Sequence, residues 1–256
     1  MITAEQERDF YDNQYRQFLE LPVADIRIDR AVLTGNCNNP THPFYERRRL
    51  YLASMEALLA EPLPGKRVLD YGCGPADFGV WMATESAEVT LLDLSPLAVE
   101  LGLKRAKASG VTKRVKGVAA DASKLDMFAD YAFDLVFACA SLHHTLQYPG
   151  AMDELARVMR PGARLVLCET GGGNPLLGPA RRWRARVDGE LEEQGEDIIL
   201  SHKELKLLEG HFGHIRVQHL NLLAMGKRLL RGKFEHTWAR ALVSVLEKTD
   251  RAAITL

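Results

Sequence analysis

Cysteine is scarce in this chain of 256 residues: Cys37, Cys73, Cys139 and Cys168 lie far apart, with no CxxC pair. Neither a zinc site nor a disulfide framework is indicated, so no metal is expected. Charge of one sign is not in excess either, with 33 Lys plus Arg against 34 Asp plus Glu. The chain therefore has no global field that would favour nucleic acid or a membrane surface. No apolar run approaches the roughly 18 residues of a membrane span. The opening stretch, MITAEQERDF, is polar and acidic where a signal peptide is basic and then apolar. Repeats and low-complexity tracts are missing too. We expect a soluble protein of a reducing cytoplasm, with no nucleic-acid or membrane partner.

Hydrophobic residues make up 46% of the chain, enough for one large α/β domain with additions. From Arg67 onward, short β-rich runs alternate with helical stretches. RVLDY (67–71), EVTLLDL (88–94), RVKGVAAD (114–121), FDLVFACA (133–140) and ARLVLCET (163–170) read as five strands. Between them, SPLAVELGLKRAKASG has Ser95 as N-cap, Pro96 at the first helical position and Gly110 as C-cap. Apolar runs without strict alternation indicate parallel strands buried on both faces. The expected fold is α/β, an open, doubly wound, mostly parallel sheet that binds ligands beyond the carboxyl ends of its strands.

Residues 1–60 read as an N-terminal helical cover and residues 61–256 as the core. Residues 171–200, which begin GGGNPLLGPARRWR, have no strand signal and read as an insertion after the fifth strand. Within it, RRWRAR (181–186) fits a solvated helix face anchored by Trp183 better than a site for an acidic substrate. HIRVQHLNLL (214–223) can form a sixth strand. Trp238, Ala241, Leu242, Val245 and Leu246 then fall at helical spacing, predicting a helix over about 237–250 rather than a seventh strand. The sheet would be short at one edge, exposed or covered by a partner; a homodimer is the arrangement considered.

The chemistry concentrates in VLDYGCGPADFG (68–79), an apolar run that ends in an acid and opens into a glycine turn. A dinucleotide site has GxGxxG, but the third place counted from Gly72 and Gly74 falls on Asp77. A carboxylate there competes with an anionic ligand for the helix dipole, and Asp70 adds a second charge. The turn suits a ligand that is cationic at this end. A sulfonium with an amino group meets that description.

These residues resemble the first motif of class I S-adenosylmethionine-dependent methyltransferases, and the resemblance extends over roughly residues 65–170. LLDLSP is similar to the family's second acidic strand end, and AADASKLDMF to its adenine-side segment. FDLVFACASLHHTLQYPGAMDELARVMRPGARLVL is similar to its fourth strand, following loop, helix and fifth strand. The usual third glycine of the motif is Ala76 here. The resemblance implies S-adenosyl-L-methionine as cofactor. It implies that Asp93, 21 residues after Gly72 and followed by Leu94, accepts from the ribose hydroxyls. Asp121 would accept from the adenine amino group, with Ala122 offering its amide. Gly72 and Gly74 would let the ligand approach, with Cys73 packing between them and Asp70 orienting the methionine end. Ala138 and Cys139 would lie under the methionyl part.

Methyl transfer from a sulfonium is an in-line displacement, so alignment and water exclusion carry most of the catalysis. A base is needed only for a hydroxyl or ammonium acceptor. His143 and His144, in ASLHHT just past the fourth strand, are the catalytic candidates. One is expected to face the acceptor and the other to contact protein, with His144 favoured for the first role. Tyr11 and Tyr15, one helical turn apart, would close over the sulfonium or pack in the core. A small-molecule acceptor is the preferred substrate class. Methylation of RNA or protein, and cofactor binding without turnover, are the alternatives.

Overall fold

The computed structural model describes residues 4–169, 171, 200–221, 226–227, 230 and 232–254. Four helices precede the sheet: α1 (Ala4–Arg16), α2 (Val23–Ile26), α3 (Arg30–Asn38) and α4 (Phe44–Leu58). Then come β1 (Arg67–Tyr71), α5 (Asp77–Thr84), β2 (Glu88–Asp93), α6 (Pro96–Ala108) and β3 (Val115–Ala119). β4 (Phe133–Cys139), α7 (Leu142–Thr145), α8 (Ala151–Val158) and β5 (Met159–Cys168) complete the sheet, and α9 (His202–Phe212) and α10 (Thr237–Ile254) follow. The chain divides into two compact units, Met1–Arg30 with Glu61–Ile215 and Ala31–Ala60 with Arg216–Leu256.

In the first unit the sheet order is β3-β2-β1-β4-β5, and every pairing is parallel. The chain winds outward from β1 to β3, then crosses over to lay β4 on the other side of β1. That reversal opens a crevice at the carboxyl ends of β1 and β4. Two capping signals act as read, since the Ser95 side chain accepts from the Ala98 N–H and Pro96 opens α6; the C-cap is Ser109 rather than Gly110, which follows it at φ 74°. On one face of the sheet Leu69, Tyr71, Val136 and Ala138 join a buried apolar cluster with Leu142 and Leu155. On the other face, Phe78 of α5 packs on Phe137 with ring centroids 4.8 Å apart.

The structure differs from the sequence expectations in several places. β3 ends at Ala119 rather than 121, because the Asp121 carboxylate accepts from the Ser123 N–H and turns the chain. β5 starts at Met159, straight out of α8, with Gly162 at φ 77° close to a register shift against β4. No sixth strand forms over residues 214–221; the apolar alternation there buries little, and Val217 stays 47% exposed. The expected division at residue 60 also differs, since α1 packs on α6 while residues 31–60 belong to the second unit. Apart from Gly171 and Leu200, which form an isolated parallel bridge, the expected insertion lies outside the described residues, including NPLL, RRWRAR and Trp183.

The second unit turns charge inward. From α10, Glu247 pairs with Arg48 (2.6 Å) and Lys227 (3.2 Å), and Asp250 pairs with Arg49 (3.2 Å). Tyr45, Phe234 and Val243 form the adjoining apolar cluster.

Candidate active site

The turn after β1 is built from three left-handed residues: Gly72 (φ 66°), Gly74 (φ 50°) and Ala76 (φ 57°). A Cβ on Gly72 would lie 2.4 Å from Cβ of Ser141, whose hydroxyl donates to the Tyr71 carbonyl at 2.5 Å. One on Gly74 would lie 3.0 Å from the Tyr15 hydroxyl. The close approach that these glycines allow is thus made first by the chain itself. Ala76 keeps its methyl because Gly102 opposite has none; a Cβ there would lie 2.8 Å from that of Ala76.

The two acids of the turn are both buried. Asp70 is 3% exposed and faces α5, where only a glycine at 79 leaves room for its carboxylate. Oδ2 of Asp70 has no hydrogen-bond partner, and burial pushes its pKa well up. Asp77 is buried against Arg105 at 2.7 Å. Neither presents a bare charge to the crevice, so Asp70 stands behind the turn rather than open to a ligand.

Asp93, at the end of β2, supplies the charge instead. Its Oδ2 accepts from the Gly74 N–H (2.8 Å) and its Oδ1 from the Ser95 N–H (2.9 Å). A carboxylate has about four acceptor sites, so roughly two remain for a ligand. Burial raises its pKa, and the two N–H groups oppose that shift. Leu94 beside it is partly buried, and Cys73 is a buried thiol whose pKa burial pushes up, as suits packing rather than attack. Past β3, the Ala122 carbonyl accepts from the Tyr71 hydroxyl at 2.8 Å, which fixes the segment carrying Asp121.

The loop after β4 separates the two histidines. Ala138 is fully buried in the core cluster and Cys139 is partly buried. His143 Nδ1 lies 2.8 Å from Glu169 Oε2, while Oε1 of the same carboxylate accepts from the Ser141 and Leu142 N–H groups. His144 turns to α1 instead. Its Nδ1 lies 3.0 Å from Glu7 Oε1, and its Nε2 lies 3.5 Å from the Tyr11 hydroxyl.

Helix α1 thus lies over the turn and carries a row of residues four apart, which share a helix face. Glu7 and Tyr11 meet His144, and Tyr15 sits over Gly74. The rings of Tyr11 and Tyr15 stack with centroids 6.2 Å apart, and Asp12 accepts from the Ser95 hydroxyl. Burial and the nearby Asp93 push the Tyr15 phenol up, so it is a neutral donor. Glu7, Asp12, Ser141 and Glu169 were not singled out in the sequence. Glu7 could have been found from its four-residue spacing to Tyr11, and Glu169 from its place at the carboxyl end of β5.

Residues 69–167 match the family described as a methyltransferase domain. The chain is 41% identical over 145 residues to 27-O-demethylrifamycin SV methyltransferase of Amycolatopsis mediterranei, covering 55% of this chain and 51% of that one. It is 36% identical over 118 residues to the ubiquinone/menaquinone biosynthesis C-methyltransferase UbiE of Ectopseudomonas mendocina, covering 44% and 46%. Among solved structures, the [4+2]-cyclase SpnF superposes with a TM-score of 0.53 at 22% identity, covering 82% of this chain and 73% of that one. Residues 69–167 belong to a methyltransferase domain with the class I fold of S-adenosylmethionine-dependent enzymes. The chain spans about half the length of the curated relatives it matches.

The donor set of this methyltransferase domain fits that cofactor. Carboxylates and aromatic rings surround the turn, and the one guanidinium named beside it, Arg105, is engaged by Asp77. Such a site attracts a sulfonium and an ammonium and does not suit a pyrophosphate. No group of acids, histidines and cysteines that could hold a metal ion occurs among the described residues. None of the described helices is long and apolar enough to cross a membrane.

Proposed function

We propose that this domain methylates a small-molecule hydroxyl, with His144 removing the proton of the acceptor. The observation that carries this reading is the position of His144, held between Glu7 and Tyr11 where α1 covers the glycine turn. A helix lying over the turn suits a small acceptor better than a polymer. The two relatives are named for methylation in rifamycin and in ubiquinone/menaquinone biosynthesis, which supports a small-molecule acceptor.

S-adenosylmethionine, when bound, supplies an electrophilic methyl group on its sulfonium. Asp93 would hold the ribose hydroxyls beside Leu94, while Asp121 and Ala122 take the adenine edge. The backbone of Gly72, Cys73 and Gly74 would line the methionyl end, together with Ala138 and Cys139. Asp70 would orient the methionyl end from behind the turn. Tyr11 and Tyr15 exclude water and offer their faces to the cation.

Glu7 accepts the Nδ1 proton of His144 and so leaves Nε2 as the basic atom. Nε2 then takes the acceptor's proton as the methyl arrives. His143, whose Nδ1 meets Glu169, would hold the loop in place. Replacing His144 with Ala should lower turnover by roughly 10²–10⁴ with cofactor affinity unchanged. His143→Ala should lower the melting temperature more than the turnover. Transfer of a labelled methyl group to hydroxyl-bearing polyketides and quinols measures this. If both variants keep full turnover and an unchanged pH profile, the domain works by alignment alone and the base assignment fails.

A further inference from the structure

We propose that α10 is a homodimer surface, packing antiparallel on α10 of a second copy of this chain. Helix α10 buries Ala239 and Val243 together with Glu247 and Asp250, and leaves a second apolar stripe in solvent, with Trp238, Leu242 and Val245 55%, 44% and 58% exposed. Ala241 and Lys248 share the exposed face, and Glu235 is exposed on the turn that leads into the helix. Trp238, Ala241, Leu242, Val245 and Lys248 follow the spacing of one helical stripe about 15 Å long, with Glu235 on the turn just before it. An apolar stripe rimmed by polar residues marks an interaction site.

Charge and size both select a second copy as the occupant. A two-fold axis between Ala241 and Leu242 sets Trp238 on the second copy's Val245 and Ala241 on its Leu242. The same axis brings Glu235 to the second copy's Lys248, so the exposed stripe is complementary to itself. The small Ala241 lets the helix axes approach, and antiparallel dipoles add to the attraction. A lipid surface fits less well. Membrane-lying helices carry Lys and Arg along the polar face, whereas here that face carries Glu247 and Asp250, already paired to Arg48, Lys227 and Arg49.

Sedimentation equilibrium of the full chain over a micromolar range tests the proposal. The wild type should dimerise, and Trp238→Ala should weaken the dimer on the order of a hundredfold. Glu235→Lys and Lys248→Glu should each weaken it about tenfold, by setting like charges opposite one another. Mixing those two variants should restore the dimer, because each then meets the opposite charge. Unchanged far-UV circular dichroism guards against misfolding. A chain that stays monomeric overturns the proposal, as does a dimer indifferent to these substitutions. Flotation of monomeric chain with anionic phospholipid vesicles, lost in Trp238→Ala, would also overturn it. Cofactor binding is independent of each result.

Discussion

Helices α6 and α10 are both amphipathic, and they differ in what they leave in solvent. In α6 the apolar residues Ala98, Leu101 and Ala106 are buried, while Glu100 and Lys104 pair at 3.1 Å on the solvent side. In α10 Ala239 and Val243 are buried beside the acids Glu247 and Asp250, and a second apolar stripe is left exposed. Spacing reveals that a helix has two kinds of face but not which one meets protein. Helix α6 has a sheet to cover, whereas α10 is held in its own unit by Arg48, Arg49 and Lys227.

The largest effect expected from this contrast is on stability. Asp250→Ala leaves the half-buried Arg49 without its carboxylate and should cost about 3–5 kcal/mol. Trp238→Ala, on the exposed face of the same helix, should change the stability of the isolated chain by less than about 0.5 kcal/mol. Urea denaturation at low protein concentration measures both. Equal losses would mean that the two faces of α10 are not opposed as described.

A smaller effect tests the packing under α6. Gly102→Ala would bring a methyl to 2.4 Å from Leu91 Cδ1 and 2.8 Å from Ala76 Cβ. The loss should be about 1–3 kcal/mol. Adding Ala76→Gly should recover part of it, since it removes one of the two clashes and relieves a left-handed alanine. A double variant no more stable than Gly102→Ala would show that the two positions are not coupled.

That coupling shows where sequence reading ran short. The five strands were legible because their apolar runs are nearly continuous. The glycine turn was legible from spacing alone, but not the side chains that pack on it. Gly72 makes room for Ser141, 69 residues further along, and Gly79 for the buried Asp70. Contacts of that kind leave no local periodicity. Glu169 reaches His143 from another strand, and Glu7 reaches His144 from the far end of the domain. The adjacent histidines were therefore visible as a pair, without the carboxylates that divide their roles. The division of the chain at Arg30 was hidden for the same reason: every segment from 1 to 60 reads as helix, and only packing sorts them.

The smallest effect is a dependence on pH. Burial raises the folded-state pKa of Asp70 well above its ordinary 3.8, so the folded protein binds that proton more tightly than the unfolded chain does. Its contribution to stability is complete below about pH 4 and is lost as the pH rises through the folded value. Asp70→Asn removes the ionisation. The stability of the wild type relative to Asp70→Asn should therefore fall as the pH rises from about 4 through the folded value. A difference that is flat over that range would show that the carboxylate is not desolvated.

The most direct test of the site is calorimetric titration of the chain with S-adenosylmethionine and, separately, with NAD. S-adenosylmethionine should bind with micromolar affinity, and Asp93→Ala should weaken that binding by about 1–3 kcal/mol through lost charged hydrogen bonds. NAD should not bind measurably. Binding of NAD in preference to S-adenosylmethionine would contradict the account.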